Sequence, residues 1–460
     1  MTIDPERAAI RLGYGLSPRV PPADTGFLLD SVAQATQPDG WTATAATAAH
    51  LAFGEVRKAR DEGALSAEEY RAEVQVLEGQ RLDAFRNRLA RAAGAPAGFG
   101  ERLVQFWADH FTVVAQNPTQ HLMAAAFVDE AIRPHLDGRF GAMLFAAATH
   151  PMMLIYLNQN ASVGPNSRFA RRRPELHVGL NENLGREVLE LHTLGVGADY
   201  TQADVRELAK VLTGLTYNPR DHRRFRPQVV EPGAETVLGV SYGDGLPEIA
   251  RALDDLAVHP ATARHLARKL ATHFAADDPP EALVADLAAV WTDSGGDLRA
   301  VSAALVTHPD LAATFRQKAR QPFDFVAAAL RALGLGRARS LRWTARRSGS
   351  TCWCRCSAWA SPSARRAALT AGPSLPATGS PRSFCRPASA GRCPCRSGWS
   401  NPFPIPARSC PPPWARLHPK RWCAPFPAPR TRARGWRSCW PRPSSTAAER
   451  GRPCRRAAPC

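Results

Sequence analysis

The stretch Asn181-Glu-Asn-Leu-Gly-Arg-Glu-Val-Leu-Glu-Leu-His-Thr-Leu-Gly195 decides the fold class. Leu180, Leu184, Val188 and Leu191 recur every three or four residues and make one apolar side. Asn183, Arg186, Glu187 and Glu190 stand at i, i+3, i+4 and i+7 and make one polar stripe. The period is near that of a helix, not the alternation of a half-buried strand. Gly195 and Gly197 end the helix. Thr201-Gln-Ala-Asp204 opens the next one, which stops near Gly214.

The same pattern runs outward in both directions. Upstream, Thr42–Gly63 reads as helix, and Ser66 with Glu69 makes a capping box that opens a long helix to about Ala93. Phe99–Val113, Gln120–Leu136 and Phe140–Leu157 follow. Downstream, helices are expected at Leu246–Leu256, Thr262–Phe274, Pro280–Asp293, Leu298–Thr307 and Phe323–Leu333. Thr216–Gly245 is irregular, with Val237–Tyr242 as a short strand, and the Gly/Ala/Pro stretch Gly94–Gly98 reads as a joint between subdomains. The expected fold is all-α: a multi-helix bundle over residues 1–336, with the C-terminal third largely disordered.

That boundary comes from composition. Residues 1–351 contain no cysteine, and all 11 cysteines lie between Cys352 and Cys460. Residues 337–460 hold 25 Lys+Arg against one acid, Glu449, together with 8 of the 11 Trp and 20 of the 40 Pro. Residues 1–336 carry 34 basic and 40 acidic residues, a formal charge of −6 against +24 for the rest. Translation of GC-rich DNA one nucleotide out of register produces this mixture. Back-translated with GC-rich codons and shifted by one base, Trp436–Ser445 becomes Leu-Ala-Leu-Leu-Leu-Ala-Ser-Pro-Glu-Phe, which is ordinary protein. Residues 337–460 are therefore expected to be an out-of-frame, Arg/Pro/Cys-rich disordered tail; the other reading is a genuine basic binding tail. Cys352, Cys354 and Cys356, like Cys393 and Cys395, are one residue apart, which is not zinc spacing.

Composition also excludes several functions. The pI near 10.1 would suggest a nucleic-acid partner, but residues 1–336 are mildly acidic, so none is expected. No run reaches the roughly 18 apolar residues of a membrane span, so none is expected. The start Met1-Thr-Ile-Asp-Pro-Glu-Arg7 is not a secretory signal, which makes the cytoplasm the default location. P-loop, dinucleotide, nucleophile-elbow and HExxH patterns are missing.

Several motifs carry a resemblance. Asn181–Gly195 with Tyr200-Thr-Gln-Ala-Asp-Val205 resembles the bacterial family named domain of unknown function 1800. Ile10-Arg-Leu-Gly-Tyr-Gly15, Phe106-Trp-Ala-Asp-His-Phe-Thr-Val113, His150-Pro-Met-Met-Leu-Ile-Tyr-Leu157, Leu212-Thr-Gly-Leu215, Lys269-Leu270 and Gln321-Pro-Phe-Asp-Phe-Val326 fit it in the same order. The resemblance covers about residues 8–335 and implies a helical bacterial protein with no established activity. It further implies members often encoded beside an exported, sulfatase-like family, many with export signals.

The stripe is the candidate site. Glu187 and Glu190, with Arg186 and Asn183 at the edge and His110 across from them, would serve acid–base or metal chemistry. An Arg186–Glu190 pair with cap-like Asn181 and Asn183 would instead tie helices together without chemistry. His110, flanked by aromatics, reads equally as a hydrogen-bonded core residue, and His150 as structural. His192, two residues past Glu190, points elsewhere on the helix. Two basic loops, Arg168 to Arg173 and Arg220 to Arg226, are either oxyanion sites or solvated charge. No metal or cofactor is assigned. The expected function is a binding or assembly factor working with an envelope-directed, sulfatase-like partner. The alternative is a hydrolase-like, metal-assisted enzyme centred on Glu187 and Glu190. Resequencing the gene across codons 330–360 is expected to reveal a one-base error; a confirmed displayed frame would remove the out-of-frame reading.

Overall fold

Most helix starts among the described residues carry a side-chain cap, at Asp4, Thr42 and Ser66 for example. The computed structural model describes residues 4–335, so the expectations for residues 337–460 lie outside the described residues. The first half holds α1 (Pro5–Arg11), α2 (Thr25–Ala35), α3 (Ala43–Asp61), α4 (Ala67–Gly94), α5 (Phe99–His110), α6 (Pro118–Phe127), α7 (Phe140–Thr149) and α8 (Pro151–Tyr156). The second half holds α9 (Arg168–Arg172), α10 (Asn183–Glu187), α11 (Gln202–Val211), α12 (Leu246–Val258), α13 (Pro260–Phe274), α14 (Glu281–Ser294), α15 (Leu298–Thr307), α16 (Pro309–Ala313) and α17 (Pro322–Ala332). Among the described residues the strands are β1 (Glu235–Val237) and β2 (Val240–Tyr242), antiparallel with Glu235 opposite Tyr242. The fold is all-α apart from this hairpin. Its turn residues Leu238 and Gly239 both have positive φ, 50° and 79°, which a two-residue hairpin turn demands. Among the described residues no helix is long and apolar enough to cross a membrane.

Ser66 with Glu69 forms the expected capping box, and Thr201, expected to open a helix, forms one with Asp204. A second cap recurs. His150, His259 and His308 each precede a proline, and the Nδ1 of each accepts the N–H two residues on, at 3.1, 3.2 and 3.2 Å. Proline pushes the preceding residue out of the helical region and has no N–H of its own. The expected helix Phe140–Leu157 is accordingly broken at His150, and His150 is the N-cap of α8. The expected helix Gln120–Leu136 also changes form, passing from α6 into π-helix over Val128–Ile132 and 3₁₀-helix over Arg133–His135. Pro134 cannot donate to the carbonyl four residues back, so regular helix fails there. The sequence reading had no helix at α1 or α2, whose caps are Asp4 and Asp24.

The central element is α5. Every one of its residues except Asp109 is buried, including Glu101, Arg102, Gln105 and His110. Buried polar groups cost free energy unless bonded, and each of these bonds to a side chain distant in the sequence. Glu101 accepts from Arg133 at 2.9 and 3.0 Å and from Arg91 at 3.1 Å. The Arg102 guanidinium lies 3.5 Å from Asp324 and 3.2 Å from His273, and donates to the Arg11 carbonyl. Gln105 accepts from Arg88. The apolar side of α5 meets the rest through aromatic contacts: Trp107 packs on Phe140, which packs on Trp291, with centroids 5.4 and 5.1 Å apart.

The stretch Gly94–Gly98 is not a joint between subdomains. Residues on both sides belong to one compact unit, and a single side chain holds the loop. The Arg331 guanidinium, from α17, donates to the carbonyls of Gly15 at 2.9 Å, Ala93 at 3.3 Å, Pro96 at 2.7 Å, and Ala95. Gly13 is required beside it, because a Cβ there would lie 2.6 Å from the Ala97 carbonyl. Arg331→Met retains most of the stem but strands these carbonyls in a buried site. It should lower unfolding free energy by about 3–5 kcal/mol, measured by urea denaturation. A loss below about 1 kcal/mol would mean that water replaces the guanidinium.

Candidate functional site

The segment read as one helix is two. After α10, residues Val188–His192 form a π-helix, whose turn takes in an extra residue. The register of the faces shifts with it. Leu184 and Val188 are fully buried as expected, but Leu189 and His192 then take the buried side that Leu191 was expected to share. His192 is 3% exposed and its ring lies 5.8 Å from that of His110. His192 thus points away from Glu190, as its spacing implies, and shares the buried side with Leu184 and Val188, where it faces His110.

The π turn leaves carbonyls without helical partners, and each is answered by a different group. The Thr193 hydroxyl donates to Val188 O at 2.7 Å, and the Gly195 N–H to Leu189 O at 3.3 Å. His265 on α13 lies against the Leu191 backbone. His110 Nε2 donates to His192 O at 3.2 Å. Gly195 fits here because a Cβ would lie 2.7 Å from the His265 ring.

His110 is then fully specified. Lys269 Nζ sits 2.8 Å from its Nδ1. An ammonium can only donate, so Nδ1 accepts and the ring proton resides on Nε2, directed at His192 O. Burial chiefly, then Lys269, His192 and His265, hold His110 well below the ordinary imidazole value of 6.5. The motifs containing His110, His192 and Lys269, far apart in the chain, thus meet in one buried cluster. His265 and Lys269 were missed as site residues. The signal was their i, i+4 spacing on one side of α13, where Leu266 and Leu270 are buried.

The polar stripe lies on the other side of the segment. Arg186 donates to Glu190 at 3.0 Å, to Glu182 at 3.5 Å and to Gln202 at 2.9 Å, and Gln202 donates to Glu182 at 2.9 Å. Tyr200 lies beside Glu190; burial and that carboxylate raise the Tyr200 pKa. Asn183 is exposed and its backbone N–H is taken by Asn181 Oδ1 at 2.9 Å. The Asn181 amide in turn donates to Leu157 O and Asn158 O, both at 2.9 Å, which binds this segment to the end of α8. Glu187 is half-buried. The structure therefore brings Arg186 and Glu190 together. His110 meets the segment through the His192 carbonyl, its two ring nitrogens being used by His192 and Lys269. Among the described residues, no three His, Cys, Asp or Glu are grouped to hold a metal ion.

A histidine with a depressed folded pKa binds protons less readily folded than unfolded. Its stabilising contribution is complete above the unfolded value and is lost as pH falls below about 6.5 toward the folded value. Burial shifts His50, His121, His135, His150 and His265 in the same direction. Thermal stability should therefore fall steadily below about pH 6.5. His110→Gln preserves both hydrogen bonds in form and should flatten part of that fall, while costing about 1–2 kcal/mol at neutral pH. Identical pH profiles for the two proteins would remove His110 from this role.

No curated protein and no solved structure matches the chain. A family model described as "Protein of unknown function (DUF1800)" matches residues 7–364. That range takes in the Ile10–Gly15 loop, α5, the π turn of Val188–His192 and α13, and the chain belongs to the DUF1800 family.

Proposed function

We propose that this protein is a binding or assembly factor, and that its partner is the envelope-directed, sulfatase-like protein that the family resemblance implies. One observation carries the reading. Arg186 spans Glu182, Glu190 and Gln202, so the polar stripe is a paired network linking α10 to α11. A general acid or base must be within reach of a substrate proton and suitably protonated. Glu190 instead accepts from a guanidinium, with Tyr200 beside it, an arrangement that fixes helix positions.

The alternative, a hydrolase-like and metal-assisted enzyme using Glu187 and Glu190, requires these carboxylates to exchange Arg186 for a substrate or cation. The two readings separate in one experiment. The full chain is co-expressed with a sulfatase-like protein of the kind the family resemblance implies, and the purified material is sized by light scattering and assayed for metal and ester hydrolysis. The proposal expects a stoichiometric complex that persists in Glu187→Gln and Glu190→Gln, with Arg186→Ala weakening it. A protein that stays alone, holds a metal, and loses hydrolysis in both glutamine variants would establish the alternative.

A further inference from the structure

The two arginine-rich segments are far apart in sequence and adjoin in the fold. Residues 165–178 contain four Arg and one acid, Glu175; residues 216–228 contain four Arg and one acid, Asp221. Residues 1–336 as a whole are acidic, at −6, so this is a local concentration of charge. The segments are fastened to each other at several points. The Gly164 N–H donates to Val229 O at 2.9 Å, and the Asn166 N–H to the Glu231 carboxylate at 2.8 Å. The Arg226 guanidinium stacks over the Phe169 ring at 4.3 Å. The second segment is itself folded back, with Thr216 N to Arg224 O and Asn218 N to Arg223 O both at 3.0 Å, and Arg226 N to Gly214 O at 2.8 Å.

On this rigid support, all the arginines of both segments but Arg226 are exposed. Arg223, held by Asp221 at 2.6 Å, is the one of the eight in an ion pair among the described residues, while Arg224 lies near enough to Glu130 to help lower its pKa. Guanidinium groups recognise the paired oxygens of sulfate, phosphate and carboxylate through a planar fork, and their weak hydration favours weakly hydrated oxyanions. Neither Phe169 nor Tyr217 offers an open face for base stacking. Arg226 covers Phe169, and Tyr217 is buried with its hydroxyl bonded to Thr47. The helix α9, at five residues, is too short to read a groove.

We propose that this face binds a linear sulfated polysaccharide, gripped by Arg168, Arg171 and Arg172 from one segment and Arg220 and Arg224 from the other. The inference stands apart from the choice between partner and enzyme, because none of these residues belongs to the stripe or the histidine cluster.

Residues 337–460 are strongly basic, so total binding would say nothing. The test therefore reads individual arginines in the full chain. Arginine modification by phenylglyoxal is mapped by mass spectrometry with and without heparin, at about 150 mM salt. Severalfold protection of Arg171, Arg172, Arg220 and Arg224, abolished near 1 M salt, is expected. Duplex DNA and inorganic polyphosphate at equal charge should protect these four less. The triple variant Arg171→Gln/Arg172→Gln/Arg224→Gln should keep its thermal midpoint and lose the protection at Arg168 and Arg220. Protection confined to arginines beyond residue 336, equal protection by DNA or polyphosphate, or undiminished protection in the folded triple variant would each overturn the proposal.

Discussion

Buried guanidinium groups bonded to main-chain carbonyls hold this fold together. The loop Ile10–Gly15 ends α1, and a helix end leaves carbonyls without partners. Arginines from distant elements supply them. Arg320 donates to Ile10 O and Gly13 O, Arg102 to Arg11 O, and Arg331 to Gly15 O. Arg133 does the same for Ala35 O at the end of α2, while pairing with Glu101. An arginine has several donors in a rigid fork and can collect carbonyls that converge from different directions, which a lysine cannot. The cost is mutual repulsion: burial, with Arg102 and Arg320 nearby, brings the Arg11 pKa down to about 10. Asp324, 2% exposed beside Arg102, offsets part of that charge.

This explains why α5 can be buried nearly all round yet carry four polar residues. Glu101 and Gln105 bond to α4 and Arg102 and His110 to α13, with further bonds to Arg133, Arg11, Asp324 and His192, so α5 acts as a hub whose register is set by polar contacts as well as by Trp107 and Phe106. Removing one partner leaves a buried group unsatisfied, which costs more than the bond itself contributed.

Much of the fold was legible in the sequence because its signals are local. Capping boxes at Ser66 and Thr201 marked two helix starts to the residue, and the periodicity of α12 to α15 marked their spans. Helix interruptions were less legible. The His-Pro cap could have been read at His150, His259 and His308, since the mechanism needs only neighbouring residues. The π turns could not, because an extra residue in a turn is stabilised by tertiary partners. The site suffered for this reason. The Arg186–Glu190 pair follows from i, i+4 spacing and was readable. The buried direction of His192 follows from its i, i+4 relation to Val188 and was readable; its meeting with His110 was not, because His110 lies on a distant element.

Both π turns sit where a buried histidine docks. In Val128–Ile132, Glu130 accepts from the Ala43 N–H at 2.9 Å and pairs with His150 Nε2 at 3.2 Å. In Val188–His192, the carbonyls of Leu191 and His192 meet His265 and His110. The dependence runs both ways. Without the extra residue, each later position would rotate by about 100° about the helix axis, and the His192 carbonyl would leave His110. Without His110, that carbonyl would be buried and unbonded, and regular helix would become the better arrangement. The π turn, the tautomer of His110 and the placement of Lys269 are therefore one structural unit, and this unit joins α5, α10 and α13 at a single point.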